Sequence, residues 1–544
     1  MKQLHTSKPF QTLNSTEMKY LKIFFIVFTM LTLFQACSKK IEALQVNPNE
    51  PTEATPSLIL QSVLTDFAGG MEGINPWSNV AIWEQFFCRN YQYYGDNQYG
   101  WQDGPFDGYS ELKNVKKMEE EAIRAGASNI NPYGAIAKFA KAWYFYNMSS
   151  LMGDIPMSDA LQGLDNKTPV YDDQKTVFLN VLNLLDSANI EFASLYASGD
   201  VTLTGDYYYD NDLTKWQKLV NTFQLRVLIA LSKRTDEGDL NVKGRFAAII
   251  NNPQQYPVFE SADDNFQFTY IFPTNPYPTS PNNYGYDALR YNMAKTYVQN
   301  LTTLKDARVF ITCEPAWTIA DSIGNPVDYR AYVGASTGES IAVMYSKCIA
   351  GYYSLINRKR YYDGYTAEPF ILAGYTEMCF NIAEAINRGW ISGDAATWYN
   401  KGISESMRFY GFTSGQTDYK AELLHLGNPL GEYEEYDFSF NLNEYQHQSS
   451  VIYAGNNNTG LNQILLQKYL AFFQNSGWEA YYNYRRTGVP AFDGGTGIGN
   501  NGIIPKRWAY PTDEQNTNAG NWQSALQAQG FNTDNINDAM WLIK

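Results

Sequence analysis

Residues 131–161 read NPYGAIAKFAKAWYFYNMSSLMGDIPMSDAL, and the expected fold class follows from this stretch. Its apolar side chains recur three or four positions apart, which is the spacing of one face of an α-helix. The face consists of Ile136, Phe139, Ala140, Trp143, Asn147 and Leu151. Asn131 and Pro132 are residue types preferred at a helix N-cap and first position, and Gly153 follows the last turn. The stretch therefore predicts a helix over 134–152.

Similar patterns recur along the rest of the chain. The other ranges with helical spacing are 175–197, 214–233, 372–386, 396–410 and 461–484. Most of them are amphipathic and can pair with neighbours, as helices do in helical-repeat proteins. No fixed 34-residue period is visible, so the spacing alone does not predict a tetratricopeptide array. The pattern predicts a mainly α-helical fold.

Long loops separate these predicted helices. They cover residues 88–110, 271–287, 411–460 and 491–502. Loops of this length in a compact protein are usually functional or disordered. Disordered segments are poor in aromatic residues, whereas the first two loops are rich in them. These loops are therefore expected to be ordered and to carry function.

The composition is acidic and rich in aromatic residues. The 544 residues include 42 Tyr, 30 Phe and 12 Trp, and the formal net charge is −15. An acidic chain lacks the cationic face that releases counterions from phosphate, so no nucleic-acid partner is expected. Tyr outnumbers Phe, and Tyr is the aromatic residue used where one end of the ring stays in water. The composition also differs from that of disordered, collagen-like and disulfide-stapled chains.

The N-terminus has the pattern of a secretory signal. Lys19 and Lys22 precede a twelve-residue apolar run over residues 23–34. The run is too short to span a bilayer, which requires about 20 apolar residues. Met18 opens a better-proportioned signal than the first methionine, so residues 1–17 are a candidate start-site misannotation.

The apolar run ends at Ala36 and Cys37, a small residue directly before a cysteine. This resembles a bacterial lipobox, in which the cysteine is acylated and becomes the first residue of the mature chain. A plain signal peptide with an incidental cysteine is the alternative. Acyl chains contribute about 0.8 kcal/mol per buried methylene, so several of them anchor a chain stably. The predicted boundaries are a signal peptide over 1–36, a lipidated tether over 37–52 and one α-helical domain over 53–544.

Catalytic motifs occur in the sequence only in unsuitable contexts. Residues 334–338 match GxSxG, but the preceding segment is too polar for the buried strand that a nucleophile elbow needs. The downstream histidines, His425 and His447, lie in loop-like segments. Residues 497–502 match GxGxxG, yet Pro505 follows and no strand leads in. Two histidines and unpaired cysteines in the mature chain do not indicate a zinc site.

Carboxylate pairs are equally unspecific. Glu377 and Glu384 lie seven residues apart and share a helix face, but pairing with arginine explains them better than acid–base catalysis of the kind a glycosidase requires. The four cysteines after Cys37 lie far apart, which favours buried thiols over a disulfide framework. The sequence therefore does not predict an enzyme.

Short motifs follow one another in a characteristic order. They are Asn47–Thr52, Met152–Leu161, Pro169–Gln174, Lys215–Arg226, Glu377–Gly389, Tyr399–Ile403, Gln467–Tyr469, Glu479–Tyr481, Arg485–Pro490 and Ile504–Pro511. Each motif is weak alone, but the ordered set resembles the SusD/RagB family of Bacteroidetes outer-membrane lipoproteins, in particular its SusD-like branch. One departure is Asp306-Ala307-Arg308, where the family usually has Asp-Pro-Arg.

Most of these motif residues are expected to be structural. Glycine and proline set turns. The arginines are expected to pair with buried carboxylates, because charge-assisted bidentate hydrogen bonds suit this geometry. The arginines concerned are Arg226, Arg485 and Arg486, and the carboxylates are Glu377, Glu384 and Glu479.

The resemblance implies tetratricopeptide-like helical pairs on one side and long irregular loops that form a ligand-binding face on the other. It implies a non-enzymatic lipoprotein on the outer face of the outer membrane. Such proteins cap a SusC-like TonB-dependent transporter, capture an oligosaccharide and deliver it inward; some branches take a peptide instead. No cofactor is expected. Family members sometimes hold a structural calcium ion, but no ligand set for it is readable in this sequence.

Candidate ligand-binding residues lie in the aromatic loops. Sugars present apolar C–H faces and hydroxyl groups, so a sugar site needs aromatic rings beside Asn, Asp or Gln side chains. The candidates are Tyr94, Asp96, Asn97, Tyr99, Trp101, Tyr284, Tyr286 and Trp317. Loop packing or contact with the transporter is the alternative role for any one of these rings.

Three functions are compatible with these observations. The first is a transporter-coupled, glycan-binding lipoprotein. The second is the same fold binding peptides or another nutrient, for which charged or backbone-pairing loops would be needed. The third is an adhesin, a structural lipoprotein or an enzyme. The aromatic loops favour the first.

Overall fold

The helix predicted over residues 134–152 runs from Pro132 to Met152. The Asn131 side chain accepts a hydrogen bond from the backbone N–H of Gly134 at 2.9 Å, as expected of an N-cap. Gly153 ends the helix with φ at 106°, a conformation that glycine adopts without strain. The helix is buried on nearly all sides rather than along one face, because it packs between the helices before and after it.

The structure is a computed structural model that describes residues 54–70 and 73–544 and a few positions between 14 and 22. The predicted signal sequence beyond those positions, and Cys37, lie outside the described residues. Residues 55–544 form one unit by their internal contacts. Among the described residues, no helix is both long enough and apolar enough to cross a bilayer.

Helices provide most of the regular structure. They are α1 (Pro56–Gly69), α2 (Asn79–Trp83), α3 (Gly108–Arg124), α4 (Pro132–Met152), α5 (Gln174–Ala197), α6 (Leu213–Ala230), α7 (Val242–Asn251), α8 (Tyr284–Asp287), α9 (Lys295–Leu304), α10 (Arg308–Thr312), α11 (Trp317–Ile323), α12 (Ile341–Ile349), α13 (Arg358–Tyr362), α14 (Tyr375–Asn387), α15 (Ala395–Phe409), α16 (Leu442–His447), α17 (Asn458–Ala471), α18 (Glu479–Thr487), α19 (Thr512–Thr517) and α20 (Ala519–Gln529).

The strands of the described chain are short and form three two-stranded antiparallel sheets. They are β1 (Phe87–Arg89), β2 (Phe266–Phe268), β3 (Tyr291–Met293), β4 (Phe370–Ala373), β5 (Asp418–Leu424) and β6 (Tyr433–Ser439). β1 pairs with β3, β2 with β4, and β5 with β6. The first two sheets join segments more than 100 residues apart, so they tie the loops to the helical body.

Neighbouring helices pack in succession. α3 packs on α4, α4 on α5, and α5 on α6, while α14 packs on α15 and α17 in the second half of the chain. α6 also contacts α14, which joins the two groups. The mainly α-helical fold with packed helical pairs and long connecting loops is confirmed.

Several segments differ from the sequence prediction, which did not include α1, α3, α7, α9, α12 or α20. The single helix predicted over 461–484 is two helices, α17 and α18, because Gln474, Ser476 and Gly477 between them have positive φ. The loop predicted over 411–460 contains the hairpin of β5 and β6 followed by α16. A strand of seven residues gives only a weak alternating pattern. The Gly- and Asn-rich turns beside the two strands made this segment look like a loop.

A buried ionic network links the two helical groups. The Arg226 guanidinium donates to Glu377 Oε1 at 2.8 Å, and Arg486 donates to Glu384 Oε1 at 2.5 Å. The sequence predicts that both arginines pair with buried carboxylates of this group, and the structure shows which partner each one has. Arg485 differs, because it donates to the backbone carbonyl of Lys506 instead of a carboxylate. Burying each arginine with its partner avoids the several kcal/mol that an unpaired interior charge costs.

The four cysteines of the described chain are free and buried. They are Cys88, Cys313, Cys348 and Cys379. Burial raises the pKa of each thiol, to about 12 for Cys379. They are therefore packing residues rather than reactive thiolates.

Candidate ligand-binding site

Three tyrosines crowd the surface loop that follows β1. Tyr91, Tyr93 and Tyr94 lie in and beside one 3₁₀ turn, and their ring centroids are between 5.3 and 6.5 Å apart. Gly95, with φ at 110°, then lets the chain turn back. Tyr93 is 85% exposed and Tyr91 is 38% exposed. Both rings are thus accessible to a ligand.

Two further segments reach the same rings. The Tyr94 hydroxyl donates a hydrogen bond to the backbone carbonyl of Tyr286 in α8 at 2.6 Å. The ring of Tyr345 in α12 lies 5.6 Å from that of Tyr91. The Arg290 guanidinium lies over both of these rings, at 4.1 Å from Tyr91 and 5.4 Å from Tyr345, where the ring faces attract a cation. We name this group the tyrosine cluster: Tyr91, Tyr93, Tyr94, Tyr286, Tyr345 and Arg290.

The pairing of β1 with β3 brings the two tyrosine-bearing loops together. Because the strands are antiparallel, the chain leaves β1 beside the point where it enters β3. Asn90, which is buried, donates its backbone N–H to the Arg290 carbonyl at 2.9 Å. Its side chain donates to the Leu289 carbonyl at 3.1 Å and to Asn292 Oδ1 at 3.0 Å. This residue therefore fixes the spacing between the loops.

Asn97 closes the first loop and does not face outward. Its buried carboxamide accepts from the Arg89 N–H at 2.7 Å and donates to the Arg89 carbonyl at 2.8 Å. The Arg89 guanidinium donates to the backbone carbonyl of Asp96 at 3.1 Å. Of the two predicted polar ligand residues on this loop, Asp96 alone is exposed.

Tyr99 and Trp101 lie in the interior, which corrects their prediction as ring platforms. Tyr99 is 3% exposed and Trp101 is fully buried. Trp101 stacks on Trp508 with ring centroids 5.2 Å apart, and it meets Trp83 and Trp478 edge to face. Neither ring has a face open to a ligand. Beyond Asn97 the chain turns inward, and its aromatic residues become core.

Trp317 and Tyr284 are also removed from the exposed rings. Trp317 is buried, and its ring centroid lies 4.4 Å from that of His425. Tyr284 is half-buried, and its hydroxyl accepts a hydrogen bond from the Arg358 guanidinium at 3.4 Å. It therefore anchors α8, whereas Tyr286, two residues later, is exposed.

Of the eight predicted residues, Tyr94 and Tyr286 are in contact at the surface, and Asp96 is exposed on the same loop. The predicted residues did not include Tyr91 and Tyr93, although both lie in the predicted aromatic loop, nor Arg290 and Tyr345. Tyr345 belongs to a nine-residue helix outside the aromatic loops, so no local pattern pointed to it. Its apolar neighbours Val343 and Ile349 are exposed, a surface property that only the structure reveals.

The charges beside the tyrosine cluster are paired. Lys347 Nζ lies 2.5 Å from Glu339 Oε1, and the Tyr353 hydroxyl donates to Glu339 Oε2 at 2.6 Å. The hydrogen bond to Glu339 raises the pKa of Lys347 to about 12. Burial raises the pKa of Asp287, in α8, to about 6. The cluster therefore offers ring faces and hydroxyl groups more than free charge.

The two motifs that match catalytic and phosphate-binding patterns pack on each other. The Ser336 hydroxyl donates to Asp493 Oδ2 at 2.5 Å, and the Gly497 N–H donates to the Gly338 carbonyl at 3.0 Å. No histidine of the described chain bonds to Ser336. Ser336 is thus bonded to a carboxylate rather than to the histidine of a nucleophile elbow, and the two segments form a clasp between loops.

No group of three or more His, Cys, Asp or Glu side chains in the described residues could hold a metal ion.

The chain matches one family model over residues 48–511. That family, SusD-like_2, is described as starch-binding and associating with the outer membrane. No curated protein is similar enough to this chain to register as a match.

Solved structures give a consistent comparison. A SusD homologue from Bacteroides fragilis is 29% identical, with a TM-score of 0.76, and the alignment covers 90% of this chain and 100% of the homologue. A second SusD homologue from the same species is 30% identical, with a TM-score of 0.74 and the same coverage. An outer-membrane protein of Bacteroides vulgatus, described with a role in nutrient binding, is 29% identical, with a TM-score of 0.74 and again 90% and 100% coverage.

Proposed function

This chain belongs to the SusD-like family of nutrient-binding proteins of the outer membrane, and on that premise we propose that it captures an oligosaccharide at the tyrosine cluster. It delivers the sugar to a SusC-like TonB-dependent transporter in the same membrane. It acts without catalysing a reaction on the sugar. The peptide-binding or other nutrient-binding alternative shares the fold and the partner but differs in ligand.

The tyrosine cluster is the observation that carries this proposal. An exposed ring gives a sugar an apolar face to stack on, and the phenolic hydroxyl gives it a hydrogen-bond partner. Tyr93 and Tyr286 are the most exposed rings of the cluster. Arg290 adds donors at its base, and Asp96 adds an acceptor on the same loop. Aromatic walls with a few placed polar groups are the usual composition of small-ligand sites.

A neutral sugar suits this surface better than a peptide does. Peptides often bind by adding a strand to an exposed sheet edge or by pairing charges. At the cluster, β1 and β3 are short and pair with each other. The nearby Lys347 and Glu339 are paired as well. Apart from Arg290 and Asp96, ring faces and hydroxyl groups are what remains accessible.

The anchoring part of the proposal rests on the lipobox at Cys37. Acylation there would hold the mature chain to outer-membrane lipid, on the face exposed to the exterior. The test is mass spectrometry of the mature N-terminus together with membrane fractionation of Cys37→Ala. We expect an acylated Cys37 in the native chain and release of the variant from the membrane fraction. An unmodified cysteine in a membrane-free chain contradicts the anchor.

The binding test is affinity electrophoresis of the mature chain in gels that contain starch, xylan, laminarin, mannan or soluble chitin oligomers. At least one glycan should retard the wild type without releasing reducing ends. The double variant Tyr93→Ala/Tyr286→Ala should lose about tenfold in affinity, as expected for truncation of two exposed contact rings. Tyr196→Ala, at another exposed ring, on α5, is the control. Retardation by none of the glycans contradicts the proposal.

A further inference from the structure

A groove lies between α9, α17 and residues 489–493, which precede the GxGxxG motif. Its volume is about 750 Å³, which falls in the range of about 300–1,000 Å³ typical of ligand clefts. It is lined by Lys295, Thr296, Gln299, Asn300 and Thr303 of α9, by Ser449 and Ser450, by Thr459, Asn462, Gln463 and Leu466 of α17, and by Val489–Asp493. None of the tyrosine cluster residues lines it. We name it the amide groove.

Uncharged polar side chains dominate the amide groove. Nine of its sixteen lining residues are Ser, Thr, Asn or Gln, and only Lys295 and Asp493 are ionisable. In an acidic protein, such a lining favours a neutral ligand rich in hydroxyl groups, because amides can both donate to and accept from each hydroxyl. A charged ligand would be left without counter-charges along most of the groove.

Several of these polar groups have no partner in the protein. The side chains of Gln299, Asn462 and Thr459 make no hydrogen bond within the described residues. Asn300 uses its amide nitrogen on the Thr296 carbonyl at 2.6 Å and leaves its amide oxygen open. The groove thus holds unused donors and acceptors along both helical walls.

Other side chains hold the walls in place. Gln463 accepts from the Ala454 N–H at 2.8 Å and donates to the Ile452 carbonyl at 2.9 Å. The Asp493 backbone N–H donates to Gln85 Oε1 at 2.7 Å. Fixed walls reduce the entropy lost when a ligand binds.

An aromatic ring completes the groove. Phe492 lines it and stacks on Tyr484, with ring centroids 4.0 Å apart and planes 1° from parallel. A ring supported on one face in this way is a rigid apolar surface. Beside the amide groups it supplies the other half of what a sugar ring requires, an apolar contact for its C–H face.

We propose that the amide groove is a second carbohydrate site, which takes an uncharged stretch of the same glycan chain that the tyrosine cluster binds. This inference rests on the proposed function. Lys295 at the groove follows Arg290 of the tyrosine cluster by five residues, so their Cα atoms are at most about 18 Å apart. One polysaccharide chain can span that distance. Occupying both sites raises the affinity for long chains, because the second contact becomes intramolecular.

The test compares a long and a short form of one glycan. The long probe is the polysaccharide that retards the wild type most strongly in affinity electrophoresis. The short probe is a trisaccharide of the same polysaccharide. The groove variant is Gln299→Ala/Asn462→Ala, which removes two exposed amides without partners. Its matched control is Gln523→Ala/Gln527→Ala on α20, which removes two exposed glutamine amides of a helix surface. Calorimetry measures affinity, and thermal melting checks folding.

The groove variant should bind the polysaccharide about fivefold more weakly and the trisaccharide as the wild type does, while the α20 control changes neither. The polysaccharide should also slow hydrogen exchange in the peptide over Asn458–Ala471 and leave the peptide over Ala519–Gln529 unchanged. If the groove variant binds the polysaccharide as tightly as the α20 control does, the inference about the groove is overturned. The proposed function still stands in that case, provided that Tyr93→Ala/Tyr286→Ala weakens binding. If no panel glycan binds the wild type, both fall together.

Discussion

The hydroxyl of Tyr94 donates a hydrogen bond to the backbone carbonyl of Tyr286 at 2.6 Å, between residues 192 positions apart. The bond joins the first tyrosine loop to α8. The Arg290 guanidinium lies 4.1 Å from the centre of the Tyr91 ring and makes a second contact between the same two segments. The two loops thus form one surface beyond the ends of β1 and β3. The spacing of their rings depends on the Tyr94–Tyr286 hydrogen bond and on the contact of Arg290 with Tyr91.

Tyr94→Phe tests whether this bond shapes the ligand site. The change keeps the ring and removes one net hydrogen bond, which contributes about 1 kcal/mol. We expect the affinity for the best-binding polysaccharide to fall about fivefold in calorimetry, with the Tm within about 2 °C of the wild type. Tyr207→Phe is the control, because that exposed hydroxyl bonds Thr65 at 3.0 Å on α1. Equal affinities of the two variants would rule out the role of Tyr94.

Trp101→Ala should unfold the protein more readily. The indole lies among Trp83, Trp478 and Trp508 without exposed surface, and truncating a buried tryptophan costs about 3–5 kcal/mol. Chemical denaturation should show that loss in the free energy of unfolding. Trp398→Ala, at a partly exposed indole, should cost much less. A Trp101→Ala protein with wild-type stability and weakened sugar binding would restore Trp101 as a ligand platform.

Local pattern was sufficient for five of the six predicted helices and for part of the ionic network. Asn131 caps the start of α4 and Gly153 ends it, as their residue types predict, because helix caps are decided by a few neighbouring residues. The pairing of Arg226 with Glu377 also agrees with expectation. Arg485 shows the limit, because its choice of a backbone carbonyl depends on where the distant Lys506 lies.

The tyrosine loop could not be resolved from sequence. Tyr93 and Tyr99 lie six residues apart in one aromatic-rich segment, yet one ring is exposed and the other is buried. The direction of each ring is set by the pairing of β1 with β3 and by the hydrogen bonds between Asn97 and Arg89. No repeating sequence pattern predicts these contacts. Sequence composition found the loop, and tertiary contacts decide which rings face solvent.

Gly338→Ala should loosen the clasp between the two glycine motifs. A Cβ at Gly338 would overlap the Gly494 carbonyl oxygen, which is backbone and cannot rotate away. Separating the two segments should lower the free energy of unfolding by about 1–3 kcal/mol, as overpacking usually does. Gly364→Ala is the control, since a Cβ there meets open space. Chemical denaturation midpoints that agree between the two variants would show that the clasp does not contribute to stability.

Asp154→Asn should change how stability depends on pH. Burial raises the pKa of the Asp154 carboxyl from 3.8 to about 7, against the opposing effect of the hydrogen bond from the Gln174 N–H. The folded state therefore keeps a proton that the unfolded chain releases near pH 4, so the Asp154 contribution to stability is fully present below about pH 4 and is lost as the pH rises to about 7. An asparagine oxygen can still accept from Gln174, and it does not titrate.

Thermal unfolding between pH 4 and pH 8 measures this effect as the difference between the variant and the wild type, so that other titrating groups cancel. The wild type should lose stability relative to the Asp154→Asn variant as the pH rises, by up to about 4 kcal/mol. Asp165→Asn, at an exposed carboxylate, should leave the pH profile unchanged. Parallel profiles for the wild type and the Asp154→Asn variant would mean that Asp154 ionises normally in the fold, because only a raised pKa makes the two curves diverge in this range.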